Sequence, residues 1–410
     1  MNLRRNHLAR AALRSLLFPL VLSLAASAQT ERVLLSFSGG STGTLPYQNG
    51  LISDTTGNLY GATYRGNNTF ELLKPSGTNK NWTQSAIAAL TGTFPTGKLV
   101  FDKSGNLYGA TLLGGANSGG TAFKLALSGG VWTQTDIFDF DSGAFGATGS
   151  EPHGDLAIDG KGNLYGATFE GGANGAGVAF ELSPPAGGVG AWTETILFNF
   201  SMTTGGNPYG SGVALSKGNL YGTTFYGGMN GGGVAYELSP PSGGVGFWNE
   251  TVLHNFGAAF SNDGSYPQGG MILDAAGNLY GTTSSGGTHG RGTVFQLSQV
   301  GGTWTENVLY NFTGGTDGLY PVSGLLFDKS GNLYGTTYYG GVAGVNAGTV
   351  FKLAPGATWT FTTLYQFAGT PDGANASSAL SIDPSGNLYG TTTHGGAGTC
   401  NCGTVFKLVP

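Results

Sequence analysis

Histidine and cysteine, which are common in catalytic and metal sites, are few and widely spaced in this chain. Beyond residue 28 they comprise His153, His254, His289, His394, Cys400 and Cys402. His289 and His394 stand in glycine-rich segments, where a solvated loop position is the commoner role of a lone histidine. His254 takes a place held by Tyr, Phe or Asp in equivalent segments, which indicates packing. The pattern predicts no catalytic residue and no metal site.

The residues best suited to ligand contact stand at one position of an internal repeat. The second residue after each copy of a heptapeptide varies, although the heptapeptide itself hardly does: Arg65, Leu113, Glu170, Tyr226, Ser285, Tyr339 and His394. Tyrosine rings offer stacking surfaces, and the charged and imidazole groups offer polar contacts. With His153, which follows a proline in a loop, this predicts a ligand site for a sugar or a peptide: Arg65, Glu170, Tyr226, Tyr339, His394 and His153. The alternative is that the same residues only rim a central channel.

The heptapeptide reveals the elements that must position these residues. It reads Gly-Asn-Leu-Tyr-Gly-Ala/Thr-Thr and begins at Gly57, Gly105, Gly162, Gly218, Gly277, Gly331 and Gly386. Around each copy the sequence predicts four short strands, which we label a to d. Four-stranded units of about 40–50 residues, repeated four to eight times, are typical of β-propellers. The fold class predicted is therefore all-β, a seven-bladed β-propeller of four-stranded blades over residues 29–410.

The turn between strands a and b has a local explanation. In Asp328-Lys329-Ser330-Gly331 the aspartate can accept a backbone N–H two residues on, and the glycine can take the left-handed conformation that closes the hairpin. Asp54, Asp102, Asp159, Asp274 and Asp383 recur at this place, whereas unit four has Ser216-Lys217-Gly218. These carboxylates are predicted to form turns, not to bind metal or catalyse.

Closure of the ring is predicted from a missing d strand in the last unit and an extra strand at the N-terminus. The last unit stops after strand c at Pro410, and Val33–Phe37 aligns with the d strand Val308–Phe312. Residues 32–37 are therefore expected to pair antiparallel with the segment around Thr404–Leu408 and to complete blade seven, removing an open sheet edge. The six tryptophans, one in each complete d strand, are expected to pack between blades.

The repeated Asp-x-x-Gly-Asn-Leu-Tyr-Gly-Thr-Thr, with Gly-Thr-Val-Phe-Lys-Leu after it, resembles the bacterial choice-of-anchor GloVer (Gloeo/Verruco-type) tandem-repeat proteins. The resemblance covers residues 31–410. It implies an exported bacterial repeat protein with a β-propeller-like fold, and it brings no catalytic residues to carry over.

The first 28 residues are typical of a cleaved secretory signal. Four arginines precede the apolar run Leu16–Leu24, and Ala26-Ser27-Ala28 provides a small-x-small site for cleavage between Ala28 and Gln29. The run is too short for a stable membrane anchor, so no membrane span is expected in the mature chain. The predicted location is secreted, periplasmic or at the cell surface.

Cys400 and Cys402 flank one residue in the last b–c loop. An exported location favours a disulfide between them, provided that the chain bends enough to bring the Cα atoms within about 7 Å. A metal site shared with His394 is the alternative, and it has too few ligands.

Composition excludes other classes. Only 10% of the residues are charged, against about 25% in an ordinary domain, and there is no basic stripe of the kind that nucleic acid requires. No Gly-x-x-x-x-Gly-Lys-Ser/Thr phosphate loop and no His-Glu-x-x-His helix occurs, so no cofactor is expected. The leading hypothesis is a monomeric, non-enzymatic protein that binds a carbohydrate or protein ligand on its loop face. The alternative is an extracytoplasmic enzyme such as a lyase or glycoside hydrolase, because propellers support many functions.

Overall fold

The computed structural model describes residues 29–40, 43–78, 81–210, 212–257 and 262–410. The predicted signal segment, including Ala28 of the cleavage site, lies outside these ranges. The chain is all-β, and its antiparallel sheets form a seven-bladed β-propeller, which confirms the fold predicted from the repeat. Among the residues described, no helix is long and apolar enough to cross a membrane.

Each blade has four antiparallel strands in the order a, b, c, d. Strands a to d of blade one are Ile52–Ser53, Leu59–Thr63, Asn68–Leu73 and Thr83–Ala89. Those of blade two are Thr93–Phe101, Leu107–Leu113, Ser118–Ser128 and Val131–Asp141. Those of blade three are Ala157–Ile158, Leu164–Glu170, Val178–Ser183 and Thr193–Asn199.

The remaining blades repeat this arrangement. Strands a to d of blade four are Ala214–Ser216, Asn219–Tyr226, Val234–Ser239 and Asn249–Asn255. Those of blade five are Ile272–Leu273, Leu279–Gly286, Thr293–Val300 and Thr303–Asn311. Those of blade six are Leu326–Phe327, Leu333–Thr337, Thr349–Ala354 and Thr360–Gln366. Blade seven has Ser381–Ile382, Leu388–Thr392 and Thr404–Val409, and its fourth strand is Thr30–Ser36.

The a–b turns owe their repetition to one carboxylate that accepts several hydrogen bonds. Asp328 Oδ1 accepts the backbone N–H groups of Ser330 and Asn332 at 2.8 and 2.9 Å. Its Oδ2 accepts the Asn332 amide at 2.7 Å and the Tyr334 hydroxyl at 3.0 Å. These hydrogen bonds outweigh partial burial and lower the pKa of Asp328. The turn role is confirmed, and each aspartate also ties strand b to the turn.

The a–b turn of blade four is stabilised without an aspartate. Lys217 takes a left-handed conformation with φ 51°, and Glu237 on strand c accepts hydrogen bonds from the Asn219 amide and, at 3.2 Å, the Tyr221 hydroxyl. A carboxylate from the neighbouring strand thus replaces the missing one.

Neighbouring blades are held together by aromatic packing. Trp132 of blade two packs against Tyr60 of blade one, with ring centroids 6.0 Å apart. The same contact recurs in the pairs Trp82–Tyr389, Trp192–Tyr108, Trp248–Tyr165 and Trp359–Tyr280. Within a blade, the glycine of strand b makes room for a phenylalanine of strand c: a Cβ on Gly109 would lie 2.7 Å from Phe123 Cζ. The regular tryptophans are therefore packing residues.

The predicted closure is confirmed. Thr30–Ser36 is the outermost strand of blade seven and pairs antiparallel with Thr404–Val409, with Thr30 opposite Val409 and Ser36 opposite Thr404. Phe37 follows this strand and is 1% exposed. It packs in a cluster with Leu51, Leu59 and Phe70 of blade one, so the N-terminal strand joins the first blade to the last.

Cys400 and Cys402 lie in the b–c loop of blade seven with their Cα atoms 5.2 Å apart and their sulfurs joined. The loop bends enough for a bridge, as Asn401 between them has a left-handed φ of 52°. We expect mass spectrometry of the purified protein under non-reducing conditions to show these two residues oxidised to each other. Recovery of two alkylatable thiols would contradict the bridge. Because so short a ring removes little entropy from the unfolded chain, its reduction should hardly change the melting temperature.

Candidate functional site

The mouth of the central channel lies at the end of the propeller where strand b extends beyond strand a. Beyond the a–b hairpin, the end of strand b pairs with a segment of the loop that leads from the previous strand d into the blade. Ser150 pairs with Glu170 in blade three, and Gly206 pairs with Tyr226 in blade four. The d–a and b–c loops therefore lie at the same end of the propeller, and the variable positions after the heptapeptide face this end.

A left-handed residue recurs in these loop segments in all seven blades. Each has φ between 52° and 60°, and all but the last precede a proline: Leu45, Phe94, Glu151, Asn207, Tyr266, Tyr320 and Asn375. Such a conformation is strained for residues other than glycine. Five of their N–H groups bond to a carbonyl of the preceding blade's b–c loop, as in Asn207 to Ala176 at 2.8 Å. These backbone hydrogen bonds between neighbouring blades therefore offset the strain.

Aromatic side chains from four blades meet at the channel axis. We call this group the central aromatic cluster: Tyr47, Tyr64, His153, Phe169, Tyr209, Phe225 and Tyr338. Tyr209 contacts His153, Phe169 and Phe225 at ring distances of 4.1, 5.7 and 5.4 Å. Tyr47 contacts Tyr64 at 5.7 Å and Tyr338 at 6.3 Å.

Two tyrosines bring the halves of this cluster together across the axis. The hydroxyl of Tyr47, in blade one, interacts with that of Tyr209, in blade four. Burial and this neighbouring tyrosine raise the pKa of Tyr47. The two phenols therefore stay protonated at neutral pH, and the mouth is filled by packed side chains along its axis.

His153 is a packed member of this cluster. Its side chain is stacked on Tyr209 with an interplanar angle of 29°, and the residue is only 8% exposed. Burial lowers its pKa to about 4, so the imidazole is neutral at physiological pH. Its Nδ1 has no hydrogen-bond partner among the residues described.

Tyr226 and Tyr339 lie outside the cluster, on the rim. They are 40% and 38% exposed. Each is held edge-on by the aromatic residue before it, at 4.5 Å from Phe225 and 4.6 Å from Tyr338. A further tyrosine supports each ring, Tyr266 at 5.9 Å and Tyr320 at 6.2 Å. Both rings are thus partly open to solvent and restrained by their neighbours.

The predicted polar groups lie at the same end of the propeller as these rings. Glu170 is near Glu151, whose pKa is raised by burial and then by the charge of Glu170. Arg65 is exposed, and its backbone pairs with Thr44 through hydrogen bonds of 2.8 and 3.1 Å. His394 pairs with Ala374 in a short strand, and burial lowers its pKa. Within the described ranges no ion pair or hydrogen bond joins the side chains of Arg65, Glu170 and His394 to one another.

Below the mouth, a central cavity of about 550 Å³ is lined by strand a of blades one to six and by Ala379 and Leu380, which precede strand a of blade seven. Its lining is apolar except for Lys98 and Asp155 of neighbouring blades. Asp155 Oδ1 accepts the backbone N–H of Lys98 at 2.6 Å. Burial raises the pKa of Asp155, and the charge of Lys98 lowers it in part.

Sequence reasoning missed Lys98 and Asp155, although the repeat contains the signal. The residue two positions before strand a is glycine or alanine in the other five blades: Gly50, Gly212, Gly270, Gly324 and Ala379. Two opposite charges at this position, in adjacent blades, are the exception.

Three comparisons place the chain among known proteins. The model of the Gloeobacter/Verrucomicrobia repeat matches residues 20–211, 67–272 and 189–406. No curated protein matches the chain in sequence. Among solved structures, a streptogramin B lyase has a TM-score of 0.57 at 16% identity and covers 93% of this chain and 97% of its own. Virginiamycin B lyase from Staphylococcus aureus has a TM-score of 0.56 at 13% identity, covering 93% and 99%. At such identities the likeness shows the fold alone.

Proposed function

This chain belongs to the Gloeobacter/Verrucomicrobia repeat family, and we propose that it is an exported, non-enzymatic binding protein that holds a carbohydrate on the channel-mouth face of its propeller. The observation that carries the proposal is the pair of restrained, partly exposed rings of Tyr226 and Tyr339 on this face. Aromatic rings that are already ordered lose little entropy when a ligand stacks on them.

The neighbouring polar groups fit such a ligand. The carboxylates of Glu151 and Glu170 can accept hydrogen bonds from sugar hydroxyls, and Arg65 can donate them. Since the central aromatic cluster fills the axis, the ligand would lie across the rim and not enter the channel. Export is part of the same proposal, and the signal segment over residues 1–28 and the Cys400–Cys402 bridge support it.

We expect the double variant Glu170→Ala, Tyr226→Ala to weaken glycan binding at least about tenfold, which corresponds to about 1.4 kcal/mol. The measurement is a glycan array followed by calorimetry on the best oligosaccharide. Because both side chains lie at the surface, the melting temperature should change little. Tyr339→Ala should weaken binding separately.

Val245→Ala is a suitable control, since Val245 is exposed on the c–d turn of the same blade, at the other end of the propeller. It should bind as the unmodified protein does. Normal binding by the double variant would contradict the proposed site, as would unfolding of the variant. Binding to peptides but to no glycan on the array would replace the carbohydrate by a protein ligand.

A specific observation supports the enzyme alternative, a lyase or glycoside hydrolase. Asp155, with its raised pKa, and Lys98 stand together in the central cavity, and paired titratable groups of this kind can act as acid and base. Turnover found in a hydrolase and lyase screen and abolished by Asp155→Asn would assign the activity to this cavity. Turnover that survives the substitution would exclude Asp155 as the catalytic group.

A further inference from the structure

A second group of polar side chains lies far from the axis, between the outer strands of blades four and five. His254 is on strand d of blade four, and Glu306 is on strand d of blade five. Asp263 stands in the loop that connects these blades. The side chains are 22%, 26% and 12% exposed for His254, Asp263 and Glu306, so the group is mostly enclosed but open to water on one side.

The three side chains converge on one point. His254 Nε2 is 3.2 Å from Asp263 Oδ2 and 3.7 Å from Glu306 Oε2. One ligand atom from each residue lies within 4.8 Å of the other two. Around a tetrahedral Zn²⁺ with bonds of about 2.0–2.2 Å, neighbouring ligand atoms are roughly 3.2–3.6 Å apart. The two separations from His254 are therefore already close to this spacing, and the Asp263–Glu306 pair, which lies within 4.8 Å, would need to close by at most roughly 1.5 Å.

Neighbouring groups hold two of these side chains in place. The backbone N–H of Gly257 donates to Asp263 Oδ2 at 2.8 Å. Phe256 packs edge-on against the imidazole of His254, with centroids 4.8 Å apart. Ligating carboxylates in metal sites are commonly held by a hydrogen bond of the kind that Gly257 makes here.

Comparison with the equivalent blade junctions shows which part of this cluster serves the packing of the blades. Tyr310 donates to Asp317 at 3.0 Å between blades five and six, and Tyr365 donates to Asp372 at 3.1 Å between blades six and seven. The position of Glu306 is taken there by Phe361 and Glu31, since all three lie opposite the same leucine of strand c. The aromatic–aspartate pair is thus a structural feature of the fold. Among these three junctions, only that between blades four and five combines an imidazole with two carboxylates.

We propose that His254, Asp263 and Glu306 bind a divalent transition metal ion of the Zn²⁺ class. One imidazole and two carboxylates suit this class of ion. Three protein ligands leave a fourth position for water on the exposed side. The site lies between two blades, so the ion would connect blade four to blade five. The role is separate from carbohydrate binding at the channel mouth and does not depend on it.

The test is calorimetric titration of the chelator-treated mature protein with ZnCl₂, supported by the absorption spectrum of bound Co²⁺. We expect one site per chain, removed or weakened at least about 30-fold in His254→Tyr. This variant reproduces the junction between blades six and seven, where tyrosine already occupies the slot, so it should fold. His289→Ala, which changes an exposed loop histidine, is the control and should bind normally.

The reciprocal variant Tyr365→His places an imidazole beside Asp372 and Glu31 and should add a second site. Absence of a bound ion in the unmodified protein, or unchanged binding in His254→Tyr, would overturn the proposal and leave the cluster as an ion pair. If His254→Tyr fails to fold, the same titration is carried out on Glu306→Gln, which should also lose the ion. This variant should fold, because Gln84 and Gln134 occupy the equivalent position in blades one and two.

Discussion

Deleting residues 29–38 should lower the melting temperature by more than about 5 °C and cause aggregation. The deletion removes the outer strand of blade seven, which spans Thr30–Ser36, and it exposes the edge of Thr404–Val409. It also removes Phe37, which is 1% exposed. Full burial of such a side chain contributes about 1.5–3 kcal/mol, and Leu34 and Leu35 pack on the same cluster.

The ring geometry makes this loss larger than that of one side chain. A free sheet edge can pair with another molecule, and the contact between the first and last blades is opened. The measurement is thermal unfolding together with light scattering. Phe312→Ala is the matched control, since Phe312 follows strand d of blade five as Phe37 follows that of blade seven, but lies within a continuous chain.

The deletion should destabilise the protein more than Phe312→Ala does. A synthetic peptide of residues 29–38 added in excess should restore part of the melting temperature by pairing with the free edge. A truncated protein as stable as the chain that begins at residue 29 would contradict closure by this strand.

Replacing Glu31, Glu194 and Glu250 by glutamine should stabilise the protein at pH 8 and leave its stability unchanged near pH 4. The three residues occupy one repeated position on strand d, opposite Leu408, Leu182 and Leu238 of strand c. In each, Oε1 is buried without a hydrogen-bond partner among the residues described. Blades one and two already carry glutamine here.

Burial is the main cause of the raised pKa values of these carboxyls. The pKa of Glu194 rises to about 8, and the charge of Asp141 adds to the effect. The pKa of Glu31 rises to about 7, with a contribution from Asp372. Glu250 also reaches about 7, against a hydrogen bond with Thr204 that lowers it.

The sign of the pH effect follows from these directions. Below about pH 4.5 both the folded and the unfolded chain hold the three protons, so the carboxyls carry no penalty. As the pH rises toward 7–8 only the unfolded chain ionises, and the folded state loses stability until its own carboxyls titrate. Glutamine stays neutral, so the variant avoids a loss of roughly 1 kcal/mol per site, after allowance for the water that reaches each group.

Thermal unfolding of the triple variant and the unmodified protein between pH 4 and 9 tests this effect. Glu181→Gln is the control, because Glu181 lies on strand c, at the place where blade five has Gln296. The stability difference that this substitution causes is measured over the same pH range and compared with that of the triple variant. A pH-independent difference for the triple variant would show that the three carboxyls are ionised in the folded state.

Much of the architecture is legible in the sequence because local interactions produce it. In six of the seven a–b turns an aspartate bonds to groups two to six residues away, as Asp328 does, and the alternation of strand b depends only on its own pleat. The missing d strand of the last unit and the unpaired N-terminal strand predicted closure by counting. The ring that results was therefore predictable before any contact between blades was known.

Only the tertiary structure decided which side chains meet. Tyr47 and Tyr209 stand in corresponding loops of distant blades, and closure of the ring brings their hydroxyls together across the axis. The pattern of its own strand indicates only that His254 is a packing residue. Glu306 lies close to it because strand d of the next blade runs alongside. The sequence by itself determined the repeat, the turns and the closing strand, since these follow from bonds within a unit. The contents of the channel mouth and of the blade junctions depend on the distances and angles between units, which no local pattern encodes.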